Sequence, residues 1–156
     1  MRQQALYEPI KLWLENKGFL VLITGRRMKV VIPVSDLLPA AYKIPDLIGV
    51  NERNRVVIVE AEKDGGKFLN ALGTCMLWRC TATYVHLAYP KGKIPRAPAL
   101  SRLGIGLLEV DTGTRTVNEL IALPEKDSDL HAVWELHPTD LLKERHLADQ
   151  IRNSLA

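Results

Sequence analysis

The stretch Ile44-Pro45-Asp46-Leu47-Ile48-Gly49-Val50, followed by Val56-Val57-Ile58-Val59-Glu60-Ala61-Glu62-Lys63, decides how the rest of the chain is read. Both runs are continuously apolar until they meet acid, the pattern of strands covered on both faces rather than of solvated strands. The five residues between them, Asn51-Glu52-Arg53-Asn54-Arg55, are polar and turn-forming, so Asp46–Val50 and Val56–Glu62 read as an antiparallel hairpin. That connector sets Val50 opposite Val56, Ile48 opposite Ile58 and Asp46 opposite Glu60. Opposed residues project from one face with Cβ atoms about 4.5–5.5 Å apart. Strand side chains alternate, so Glu62 shares the face of Glu60. Three carboxylates are therefore expected at one end of the hairpin. Like charges so placed repel unless a cation lies between them, and oxygen-only ligands select Mg²⁺ or Mn²⁺. The carbonyl of Ala61 would add a further oxygen. The competing reading is a surface charge cluster, which a one-residue slip in register would produce.

Working outward, residues 4–17 read as a helix, with Leu6, Ile10, Trp13, Leu14 and Lys17 at helical spacing and Gly18 at the position that follows a helix end. Residues 19–23 and 28–34 read as strands. After the hairpin, Gly65-Gly66 breaks the chain and residues 67–80 form a second helix. Strands are expected at 83–89, stopped by Pro90, at 105–110 and at 115–122, with a turn at Asp111-Thr112-Gly113-Thr114. A closing helix spans about 138–155. The expected class is α/β with a central mixed sheet flanked by helices, in one domain over 1–156 whose core is about 4–123.

The chain has 156 residues, 47% of them hydrophobic and 25% charged, which suits one globular domain. Lys+Arg of 21 against Asp+Glu of 18 gives a net charge of +3, which permits a nucleic-acid partner without demanding one. Two cysteines, Cys75 and Cys80, exclude a disulfide framework and fit a reducing, cytoplasmic setting. No run of about 18 apolar residues occurs, so no membrane span is expected, and the N-terminus, with Glu8 and no apolar core, does not read as a signal peptide. The four histidines have no metal-ligand spacing, and His86, alternating with Val85 and Leu87, is expected to be hydrogen-bonded and partly buried. Trp13 and Trp78 read as core. Neither a phosphate-binding glycine loop nor a serine nucleophile elbow is present.

On Pro45-Asp46 and Glu60-Ala61-Glu62 the chain resembles the PD-(D/E)XK nuclease superfamily, the restriction-endonuclease-like fold, over about residues 4–110. Pro45-Asp46 stands where that family has its PD, and Glu60-Ala61-Glu62 where it has (D/E)-x-K. Glu8 matches an acidic residue that some members contribute from the first helix. The unit 66–90 and the strand Gly104-Ile105-Gly106-Leu107-Leu108-Glu109-Val110-Asp111 are similar to parts of Holliday-junction-resolvase-like and Mrr-like members. The lysine position is Glu62 here. Some restriction-type members carry glutamate there and remain active, whereas others with a broken motif have lost catalysis.

The resemblance implies a metal-dependent DNA endonuclease hydrolysing phosphodiester bonds, and as the alternative a catalytically inactive DNA-binding or assembly module. It implies that Asp46 and Glu60 hold Mg²⁺ or Mn²⁺, with Glu8 reaching it through water. Glu62 would orient the attacking water or bind a second ion, and Lys63 or Lys67 would stabilise the transition-state charge. Arg26, Arg27 and Lys29, and then Lys91, Lys93 and Arg96, are the candidates for contact with the DNA backbone. The apolar stripe of the closing helix covers the core or pairs with a second copy, and since dimers are common among nucleases that cut two strands, the resemblance adds a homodimer as the possible assembly.

Overall fold

A computed structural model describes residues 2–24, 32–33, 42–43, 45–53, 55–79, 82–95, 100–123, 149 and 152–153. The N-terminal segment starts as a 3₁₀ turn, Gln3–Leu6, and continues as helix α1, Tyr7–Asn16. The sequence predicts one uninterrupted helix. Pro9 has no N–H for a bond to Ala5, so the α-form begins only where its ring falls in the first turn, whose donors are unpaired anyway. Gly18 ends the helix at φ +92°, as its position predicts.

The strands are β1 (Leu20–Ile23), β2 (Ile32–Pro33), β3 (Tyr42–Lys43), β4 (Leu47–Val50), β5 (Val56–Ala61), β6 (Tyr84–Pro90), β7 (Ile105–Asp111) and β8 (Thr116–Ile121). Strands β2 and β3 pair with each other. The other six form one sheet in the order β1-β4-β5-β6-β7-β8. Its centre, β5-β6-β7, is parallel; β1, β4 and β8 run antiparallel to their neighbours. The expected mixed sheet is therefore present. Of the predicted strand at 28–34, only Ile32 and Pro33 fall among the described residues. Of the closing helix, Asp149, Arg152 and Asn153 are described and helical, and Arg152 Nη2 donates to the carbonyl of Asn51 at 3.1 Å.

Helix α2 (Phe68–Trp78) follows a 3₁₀ turn at Gly65–Lys67, where Asp64 Oδ1 accepts the Gly66 N–H at 2.9 Å. It packs on the sheet face formed by Ile48, Val50, Val56, Ile58, Val85, Leu87 and Tyr89. Helix α1 covers the opposite face, formed by Val21, Leu47, Val57, Val59, Ala61, Ala88, Leu108 and Val110. This two-sided burial is the reason the hairpin runs are apolar at every position: β4 and β5 are buried throughout.

Candidate functional site

The β4–β5 hairpin has the register that the connector implies. Val50 pairs with Val56, Ile48 with Ile58 and Leu47 with Val59, and Asp46 and Glu60 are the next residues beyond the last of these pairs. The turn is fastened by Asn51, whose Oδ1 accepts the N–H groups of Arg53 at 3.0 Å and Arg55 at 2.9 Å. The other end is fastened by Thr24, whose N–H donates to the Asp46 carbonyl at 3.0 Å and whose hydroxyl donates to the carbonyls of Pro45 and Asp46. The acidic positions cluster at strand ends: Asp46 immediately precedes β4, Glu60 is the penultimate residue of β5 and Glu62 follows it. Glu62 still donates its N–H to the Ala88 carbonyl of β6 at 2.9 Å.

Asp46 is held by three donors. Tyr7 OH donates to Oδ1 at 3.0 Å, and Oδ2 accepts from Gln3 Nε2 at 3.1 Å and from the Ala61 N–H at 2.9 Å. Gln3 and Tyr7 are four residues apart and reach the same carboxylate, as successive turns of a helical segment allow. Glu60 is 8% exposed, and its Oε1 accepts the indole N–H of Trp78 at 2.5 Å. A solvated charge cluster does not have a carboxylate so enclosed. The hydroxyl of Tyr7 reports the joint field: burial, then Asp46, then Glu60 and Glu62 push its pKa well above the usual 10.0. Tyr89, fully buried on the α2 face, is pushed the same way by burial and then by Glu62. Its hydroxyl has no hydrogen-bond partner among the described residues.

The remaining predicted residues divide. Glu8 lies exposed on α1, so the helix reaches Asp46 through its neighbour Tyr7 and through Gln3, which the sequence reading missed. The Ala61 carbonyl accepts the Gln3 amide. Lys63 and Lys67 are exposed after β5 and at the start of α2. Lys91 pairs with Asp111 at 3.2 Å, and Asp111 is held below its usual pKa first by the Thr114 N–H and next by Lys91. Lys93 is exposed, and its carbonyl lies 4.0 Å from where a Cβ on Gly65 would sit, so this basic loop borders the 3₁₀ turn that carries Lys67. Arg26, Arg27, Lys29 and Arg96 lie outside the described residues. Trp78 is core, as expected, and is also the donor to Glu60. One expectation is corrected: His86 is buried, and neither ring nitrogen has a hydrogen-bond partner among the described residues. The reason is its place on the α1 face of β6, opposite an apolar helix flank.

The donor set is oxygen-only, which suits a hard divalent cation. Among the described residues no group of three or more His, Cys, Asp and Glu side chains stands ready to cage a metal. Mg²⁺ rarely needs one, since it binds one or two carboxylates and completes its shell with water and substrate phosphate.

No family model matches the chain, and no curated protein matches it. Two solved structures share its fold. One is a protein of unknown function from Silicibacter pomeroyi, 14% identical, with a TM-score of 0.65 over 99% of this chain and 86% of that one. The other is an XisH family protein from Nostoc punctiforme PCC 73102, 16% identical, with a TM-score of 0.51 over 76% of this chain and 99% of that one. At such identities the likeness is one of fold. The class is α/β: a six-stranded mixed sheet between two helices, consistent with a restriction-endonuclease-like core. No helix among the described residues is long and apolar enough to cross a membrane.

Proposed function

We propose that the protein is a metal-dependent endonuclease that hydrolyses phosphodiester bonds in DNA at the acid-bearing end of the β4–β5 hairpin. The observation that carries the reading is the β4–β5 register, whose last pair, Leu47 with Val59, brings Asp46 and Glu60 to the same end of the hairpin, with the Asp46 carboxylate accepting the N–H of Ala61 beside Glu60. Asp46 and Glu60 would hold Mg²⁺ or Mn²⁺. A bound divalent ion supplies positive charge beside the scissile phosphate and makes water more acidic. Glu62 orients the attacking water and takes its proton. Gln3 and Tyr7 fix the Asp46 carboxylate, as partners behind a metal ligand do. Lys67 and Lys93, on adjoining exposed segments, meet the phosphate backbone, and Lys63 adds charge nearby. The C-terminal ends of parallel strands are where open α/β sheets bind ligands, and this is that end of β5 and β6. On this reading the protein works in the cytoplasm, and cutting both strands of a duplex calls for a homodimer.

The second reading is a catalytically inactive DNA-binding or assembly module. What favours it is that Asp46 already takes three protein donors and that Glu62 replaces a lysine. Purified protein is incubated with linear duplex, single-stranded and four-way-junction DNA in Mg²⁺ and in Mn²⁺, beside Asp46→Ala and Glu60→Ala. Metal-dependent cleavage lost in both variants supports the nuclease. Inertness with a retained gel shift supports the module. Neither cleavage nor binding rejects both.

A further inference from the structure

The turn between β7 and β8, Thr112-Gly113-Thr114-Arg115, holds the one residue other than glycine with a positive φ among the described residues: Arg115, at φ +58°. Residues with a Cβ enter that region uncommonly, and glycine enters it freely. The turn has a glycine, yet Gly113 does not take the left-handed position. The neighbouring loop shows the ordinary arrangement. There the Lys93 N–H donates to the Pro90 carbonyl at 3.0 Å, and Gly92 supplies the positive φ, at +79°. An arginine therefore stands where the backbone favours glycine. An unfavourable backbone that persists in a well-tied segment points to a use for its side chain.

The segment is well tied. Asp111 Oδ1 accepts the N–H groups of Gly113 at 3.0 Å and Thr114 at 3.1 Å, and the hydroxyls of Thr114 and Thr116 share a hydrogen bond of 2.7 Å. Lys91 joins the turn to the loop after β6: its N–H donates to the Val110 carbonyl at 2.9 Å and its ammonium to Asp111 Oδ2 at 3.2 Å. Arg115 itself is exposed and makes no hydrogen bond or ion pair with the described residues. The turn thus presents an uncommitted guanidinium on a fixed support.

Its place in the fold gives that cation an address. Strand β7 runs parallel to β6, and β6 to β5, so the turn rises from the end of the sheet that carries Glu60 and Glu62. Two strand spacings, roughly 10 Å, separate β5 from β7. The loop after β6, with Lys93 exposed on it, stands between them in the strand order.

We propose that Arg115 is a positioning residue that grips a DNA phosphate on the β7 side of the acidic hairpin end, outside the phosphate to be cleaved. A guanidinium meets phosphate oxygens with two parallel N–H groups. A turn already ordered loses little freedom when it binds. The proposal rests on the reading that this end of the sheet takes DNA, and it adds the side on which the strand is held.

The test is binding of the full chain to a labelled linear duplex in Ca²⁺, followed by anisotropy between about 50 and 200 mM KCl. Arg115→Gly and Arg115→Asn both suit a positive φ and remove the charge. Each should weaken binding by roughly five- to tenfold at about 0.1 M salt and make the slope of log K against log salt shallower by about 0.9, the share of one phosphate. Their urea midpoints should equal or exceed that of wild type, because the backbone is relieved. Arg115→Lys keeps the charge and should keep the slope. Lys17→Ala, at the opposite end of the sheet, should leave it unchanged. A slope that neither Arg115→Gly nor Arg115→Asn alters, or urea midpoints that fall in both, overturns the proposal. The expected slopes without metal-dependent cleavage keep Arg115 in its role and reject the nuclease. Cleavage with Arg115 variants that bind as wild type does keeps the nuclease and rejects this role. A wild-type chain that binds no DNA overturns both.

Discussion

The indole N–H of Trp78 donates to Glu60 Oε1 across 2.5 Å, tying the last residue of α2 to the end of β5. Glu60 is the most enclosed of the acidic site residues, and this bond is why a carboxylate is tolerated there. Trp78→Phe keeps most of the ring volume and removes the donor. It should lose about 1–3 kcal/mol in urea unfolding, the cost of stripping a partner from a buried charged group. Glu60→Gln leaves an amide oxygen to accept the same N–H and should lose less. Equal losses would show that packing, not the hydrogen bond, sets the position of Trp78.

Gln3 and Tyr7 act on Asp46 from outside any metal sphere, so their removal should separate orientation from charge. Gln3→Ala and Tyr7→Phe each leave the carboxylate charge intact and remove one of its donors. If Asp46 holds a cation, each should weaken Mn²⁺ binding by about ten- to a hundredfold, the range for partners behind a metal ligand. Asp46→Ala should abolish it. Calorimetric titration with Mn²⁺ measures all three. Unchanged affinity in both donor variants would remove Asp46 from the proposed metal site.

How much of this was legible follows from which signals are local. The hairpin register was readable because a five-residue polar connector joins two unbroken apolar runs, and Asn51 fixes that turn with its own side chain. The placing of Asp46 and Glu60 at the same end of the hairpin came with it. Gln3 and Tyr7 were not readable as site residues. Nothing near them in sequence marks the approach of α1 to a strand some forty residues on, and a neutral amide and a phenol show less metal chemistry in a sequence than Glu8, the acidic residue beside them. Trp78 was read as core and is core; the direction of its N–H depends on the packing of α2. The isolation of the His86 ring nitrogens is illegible for a similar reason. An alternating strand pattern shows that the residue faces inward, and only tertiary contacts show that nothing there accepts or donates to it.

Two tyrosines should limit the protein at high pH. Tyr7 and Tyr89 both have pKa values raised above 10.0, by burial first and then by carboxylates. Below about pH 10 they are protonated in both folded and unfolded chains and stability does not depend on them. Above it the unfolded chain loses these protons while the folded one keeps them, so stability falls as pH rises. Tyr7→Phe and Tyr89→Phe should each flatten this decline in urea midpoints taken between pH 9 and 11. A slope that neither variant changes would assign the decline to other groups.

Glu119 should act at the opposite limit. His86 beside it, and then Lys17, hold its pKa below the usual 4.5 against the opposing pull of burial. A carboxylate depressed in the folded state contributes stability that is present above its unfolded value and lost as pH falls through the folded one. Unfolding midpoints measured from pH 6 down to pH 2 should therefore decline, and Glu119→Gln should remove part of that decline while leaving the rest. His86→Leu and Lys17→Ala should produce the same partial flattening, because each takes away a group that favours the ionised carboxylate. A decline that survives unaltered in all three variants would mean that Glu119 does not draw its ionisation from His86 and Lys17, and would leave them as neighbours in space without electrostatic consequence.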